Sequence, residues 1–166
     1  MRLRAHHVLC VLTYAGTGYS ERFCANMDRV IARLNAGAAI VLKDGPDDIC
    51  APLVAAGPAH CRRYRVHVRD RRARAVLATL MGRRGPASGR LRLSPRRVAR
   101  LRRAFGRGRA RAACRGCPWS ALCGRIAASG FVDTRLLPRH GQAASMAPAI
   151  RPQRVAALAN RRRGRY

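Results

Sequence analysis

Apolar residues recur at helical spacing in four places along the chain. After a Gly-rich turn, Phe23, Met27, Val30, Ile31 and Leu34 repeat every three or four positions, predicting an amphipathic helix over 21–36. Ser20 is its expected N-cap and Glu21 suits its first turn, while Asn35 and Gly37 supply a stop. Ala73, Val76, Leu77 and Leu80 predict a second, basic helix over 66–81. Val98, Leu101 and Phe105 predict a third, opened by Ser94 as N-cap and Pro95 at the first helical position, and closed by Gly106 and Gly108. A short fourth helix is expected around 119–129.

The remaining segments read differently. "AIVLK" (39–43) predicts a short strand, and "DGPDD" (44–48) a turn set by Gly45 and Pro46. Residues 49–65 lack periodicity. "GRRGPASG" (82–89) is a linker, and "FVDTRLL" (131–137) predicts a final extended piece. Beyond Pro138 the chain is Ala-, Pro- and Arg-rich without acidic residues, which predicts a poorly ordered basic tail over 138–166. The expected fold is mainly α. It is one small domain over 1–137, with three to four helices around a cysteine-rich centre and at most a short β element.

Composition changes the picture in one respect. Of 166 residues, 35 are Lys or Arg and 7 are Asp or Glu, a net charge of +28, and Lys43 is the sole lysine. An arginine excess combined with abundant Ala and Gly is what codon pressure in a GC-rich bacterial genome produces. The charge alone predicts non-specific attraction to nucleic acid and other polyanions. Aromatic content of 5% leaves few stacking platforms for single strands. No apolar run approaches the roughly 18 residues of a membrane span, and no secretory signal is visible. The expected compartment is the cytoplasm, where thiols stay reduced.

Seven cysteines, an odd number in a reducing compartment, point to metal ligation or a reactive thiol rather than a disulfide framework. "CRGCPWSALC" places Cys114, Cys117 and Cys123 in ten residues. A C-x2-C turn brings two thiolates onto one metal, with the third reachable across one loop. Arg111, Arg115 and Arg125 are expected to lower the thiol pKa values, and Trp119 to plug the loop. A fourth ligand must come from elsewhere. Cys50 and Cys61 lead, both in aperiodic segments, with His60 beside Cys61. Cys10 follows: in "HHVLC", His6 and His7 share a helix face with it at i, i+4 and i, i+3. Cys24 belongs with the apolar stripe. Asp47 and Asp48 are expected to cap the turn that places Cys50.

"LRAHHVLCVLTYAGTGYS", "GPDDICAP" with a downstream "HC", and "CRGCPWSALC" occur in this order in the Domain of Unknown Function 1284 family, which residues 2–137 resemble. The resemblance highlights His6, His7, Cys10, Cys50, Cys61, Cys114, Cys117 and Cys123, and leaves Cys24 out. It implies an iron–sulfur protein of ferredoxin-like type, with no established activity. Some relatives carry a further cysteine where this chain has Leu53, so six candidate cysteines remain, enough for one four-thiolate cluster.

Three readings follow. One is a protein holding a single 2Fe-2S or 4Fe-4S cluster, acting with an unidentified redox partner in electron transfer or in redox or iron sensing. Another is a zinc-stapled module whose arginine surface binds nucleic acid. The third is an enzyme using His6 or His7, Asp47 or Asp48 and Cys10. No spacing specifies a reaction, which places it behind the other two.

Overall fold

The computed structural model describes residues 1–57, 60–81 and 90–137. The 82–89 linker and the 138–166 tail lie outside the described residues. The fold is mainly α with a small sheet. Three short strands, β1 (Arg2–Leu3), β2 (Ile40–Leu42) and β3 (Arg90–Leu91), lie in that order, β1 parallel and β3 antiparallel to β2. The expected strand in "AIVLK" is thus the centre of a sheet.

The described residues also form six α-helices: α1 (Ala5–Cys10), α2 (Glu21–Asn35), α3 (Ala51–Ala55), α4 (Tyr64–Met81), α5 (Pro95–Gly106) and α6 (Ser120–Ala128). α1 is the innermost. Its Ala5, Val8 and Leu9, with Val11 and Leu12 of the following 3-10 turn, are almost wholly buried. Removal of such side chains from water is the main driving force for the fold.

The longer helices follow the apolar pattern closely. In α2 the buried residues are Phe23, Met27, Val30, Ile31 and Leu34, and the Ser20 Oγ accepts the Phe23 N–H at 3.1 Å. The helix ends in a Schellman arrangement. Ala38 N–H donates to Arg33 O and Gly37 N–H to Leu34 O, with Gly37 at φ 82. In α5, Val98, Leu101, Ala104 and Phe105 are buried beneath a Ser94 cap. In α4 the buried residues are Val66, Ala73 and Leu77, with Val76 and Leu80 packed at the core's edge. Asp70 falls between them, on the buried face.

One element departs from expectation. Residues 131–137 form turns and bends rather than a strand. Side chains take their backbone groups. Arg102 donates to Leu136 O at 2.7 Å, Asn35 Nδ2 to Arg135 O at 2.9 Å, and Leu137 N–H donates to Asn35 Oδ1 at 2.8 Å. Leu136 is fully buried by this bracket.

Candidate metal centre

"CRGC" forms a type II turn. Cys117 N–H donates to Cys114 O at 2.9 Å, Arg115 sits at φ −58, ψ 125, and Gly116 at φ 72. The third position of such a turn needs a left-handed backbone, which glycine adopts without steric cost. The turn holds Cys114 and Cys117 side by side, and α6 then carries Cys123 in its first turn.

The thiol that shares this neighbourhood is Cys10, at the end of α1. Burial pushes Cys10 well above the ordinary thiol range, and Cys123, Cys117 and Cys114 push it further, in that order. Thr13 ties the two elements together, with its Oγ1 within hydrogen-bond distance of Cys123 Sγ at 3.2 Å and of Cys10 O at 3.3 Å. Four thiols from α1, the 114–117 turn and α6 thus line one cavity of about 110 Å³.

Of the arginines expected to lower these thiols, Arg111 acts in that direction and Arg69 joins it, but neither prevails. Arg111 pulls Cys114 and Cys123 down, and Arg69 pulls Cys10 and Cys114 down. Burial and the neighbouring thiols win, leaving Cys114 at about 11 and Cys123 raised. In a dry site the desolvation of a thiolate outweighs a partly solvated guanidinium. Burial thus favours the protonated form of Cys10, Cys114 and Cys123, and a metal would have to displace those protons. Arg69 donates to Gly116 O at 3.0 Å, and its buried Nε has no partner among the described residues. Trp119 meets Tyr19 edge-on at 5.2 Å over the cavity, consistent with a packing role.

Cys50 and Cys61 gather elsewhere on the same cavity wall. Cys50 is raised by burial, by Asp47 and by the neighbouring Cys61 thiol. Asp47 caps its turn as the sequence predicts. Its Oδ1 accepts the Ile49 and Cys50 N–H groups at 3.1 Å, and its Oδ2 accepts the Arg4 N–H at 2.6 Å. His7 Nδ1 lies 2.7 Å from the same Oδ2. Burial raises Asp47, but His7 and these N–H groups outweigh it and hold the carboxyl well below the usual range. Asp48 instead accepts the Arg2 N–H at 2.9 Å.

His6 has its own carboxylate. Its Nδ1 lies 2.6 Å from Asp70 Oδ1, while Arg4 Nε and NH2 reach Asp70 Oδ2 at 2.7 and 2.6 Å. Burial, helped by His7 and Arg4, pushes His6 down to about 4 against the pull of Asp70. Burial raises Asp70, but His6 and Arg4 bring it to about 2. Both imidazoles therefore have Nδ1 committed to a carboxylate. The two rings lie 4.2 Å apart.

Among the described residues, His7, Asp47 and Cys50 are the group whose ligand atoms all lie within 4.8 Å of one another. The four thiols around Cys10 are spread more widely. Cys24 lies apart from both groups, half-buried against the core with Tyr14 donating to its carbonyl at 3.1 Å. The His60 side chain lies outside the described ones. Arg4, Thr13, Arg69 and Asp70 are the residues of the site that the motifs did not flag. For Asp70 a signal exists: it is the lone acidic residue of the second helix, placed on its apolar face.

No curated protein and no solved structure matches the chain. The family model described as "Protein of unknown function (DUF1284)" matches residues 18–123, well over half of the sequence, taking in Cys50, Cys61, Cys114, Cys117 and Cys123. His6, His7 and Cys10 precede the matched segment, but the geometry brings them to the same cavity. The chain belongs to this family of proteins of unknown function, Domain of Unknown Function 1284.

Proposed function

We propose that the protein binds one iron–sulfur cluster through Cys10, Cys114, Cys117 and Cys123, and works in electron transfer or in redox or iron sensing. The observation that carries this reading is the convergence of four thiols, from three separate elements, on one cavity.

When bound, the cluster supplies one-electron chemistry. The chain's own residues set its surroundings. Thr13 offers a hydroxyl donor to the Cys123 sulfur, and Arg69 and Arg111 place positive charge beside the thiolates. Tyr19 and Trp119 meet edge-on in the cavity wall. Each is a lever on reduction potential.

Protein purified without oxygen is expected to be brown, to absorb near about 400 nm as clusters do, and to contain iron with acid-labile sulfide. Cys10→Ser should abolish the colour. Colourless protein with zinc bound by these four cysteines would overturn the reading in favour of a zinc-stapled module.

A further inference from the structure

We propose that His6, His7, Cys50 and Cys61 form a second, mononuclear metal site, suited to zinc and separate from the four-thiol group. The site stands on the pairing of each donor with its neighbours. A ligand nitrogen of His7 and the Cys50 sulfur lie within 4.8 Å of each other. The Cys61 thiol lies near enough to push Cys50 up. The His6 ring stacks obliquely 4.2 Å from that of His7, and all four residues line the cavity.

The second layer is what a metal site needs. A ring nitrogen 2.6 or 2.7 Å from an ionised carboxylate carries the proton, so Nε2 of both histidines is the nitrogen with a free lone pair. Carboxylate–histidine pairs of this kind fix the tautomer and orientation of metal-ligating imidazoles. The carboxylates are themselves anchored, Asp70 by Arg4 and Asp47 by three backbone N–H groups. Asp47 is thereby used up as an orienter, although its oxygen lies as near as a ligand would. A core that needed only packing gains nothing from two buried imidazoles held by two buried carboxylates beside two thiols, since each costs desolvation.

The two thiol groups are distinct. Asp47 and Cys61 act on Cys50, whereas Cys123, Cys117 and Cys114 act on Cys10. The donor set also balances charge. On binding, the Cys50 and Cys61 S–H bonds break, two protons leave to solvent, and two thiolates with two neutral imidazoles neutralise one Zn²⁺. No electron moves. Two sulfur and two nitrogen donors in a closed shell are a recurrent structural zinc set.

The site can be read apart from the cluster by element-specific spectroscopy. The full-length protein is loaded with iron and sulfide, then with one equivalent of zinc, and X-ray absorption is recorded at the zinc edge. The expected result is one zinc per chain with two sulfurs at about 2.3 Å and two nitrogens at about 2.0 Å. Cys50→Ser should lower zinc affinity at least tenfold and leave the iron content unchanged. His7→Gln, which keeps the thiols, should remove one nitrogen from the zinc shell and serves if Cys50→Ser does not fold. A shell of four sulfurs, failure to retain zinc, or unaltered zinc affinity in Cys50→Ser would overturn the proposal. Zinc in a mixed nitrogen–sulfur shell with no iron taken up would leave the second site standing and remove the cluster.

Discussion

The Arg4 guanidinium meets the Asp70 carboxylate at 2.6 Å with both side chains all but sealed from solvent. The pair joins the strand-to-α1 junction to the centre of α4. Arg4 also donates through NH1 to the Cys61 carbonyl, so it braces the 3-10 turn that carries that cysteine. Asp70→Ala would strand a buried cation and should cost about 3–5 kcal/mol, read as a lower urea midpoint. The double variant Arg4→Met, Asp70→Leu should recover much of that loss, because the desolvation cost disappears along with the attraction.

Acid should weaken the fold in two stages. His6 titrates at about 4 when folded and near 6.5 when unfolded, so the unfolded chain binds more protons between those values and stability falls as pH drops through that window. Asp70 titrates at about 2 when folded, and Asp47 is also depressed, so their stabilisation is complete above the unfolded carboxylate value of about 3.9 and is lost below it. Urea midpoints should therefore decline from pH 6.5 to 4, and decline further below pH 4. His6→Gln should flatten the first stage and also shrink the second, because His6 is the foremost group holding the Asp70 carboxyl down. A midpoint that rises between pH 6.5 and 4 would contradict the assignment.

Thr13→Val removes the hydroxyl at 3.2 Å from the Cys123 sulfur with little change of shape. A donor to a cluster sulfur stabilises the more negative, reduced form, so its loss should make the reduction potential more negative. Protein-film voltammetry of the two proteins would show the shift, while iron content should be equal in both.

Gly116→Ala tests the turn. A Cβ there would meet no atom within 4 Å, so crowding is absent and the cost is that of φ 72 alone. That cost is about 1–2 kcal/mol for a non-glycine residue. It falls on the C-x2-C turn, so cluster reconstitution should slow more than global stability declines.

The charge of +28 predicts polyanion binding of a particular kind. Affinity for duplex DNA should fall steeply and linearly on a log–log plot as salt rises, with no sequence preference. Cys114→Ser should not alter it. A preference that survives at high salt and disappears with the metal would instead support a metal-stapled nucleic-acid module.

The helices were legible because their burial is periodic: Phe23 to Leu34 and Val98 to Phe105 need only the 3.6-residue repeat to be seen. The triple of Cys114, Cys117 and Cys123 was legible because its spacing is local. Which thiol joins it was not. Cys50 and Cys61, in aperiodic segments, led Cys10 as candidates, and only the packing of the 3-10 turn after α1 against α6 sets Cys10 next to the triple. Asp70 was hidden for the opposite reason. A single acid in an arginine-rich helix reads as a solvent-facing charge, despite its place on the apolar face, until Arg4, at the junction of β1 and α1, turns out to be buried against it. The 131–137 segment was misread as extended because its backbone partners are side chains from distant helices, which carry no periodic signal.

Thr13 and Cys123 touch across 110 positions of sequence. During synthesis at about 5–20 residues per second, that separation is a delay of roughly 5 to 20 seconds between the emergence of α1 and that of α6. The nascent chain would present Cys10 without its companions for that whole interval, whereas His6 to Cys61 spans 55 positions, half that separation. Metal insertion on the ribosome would thus be ordered by the gene itself, with the histidine-containing group completed first and the four-thiol group only near the end of translation.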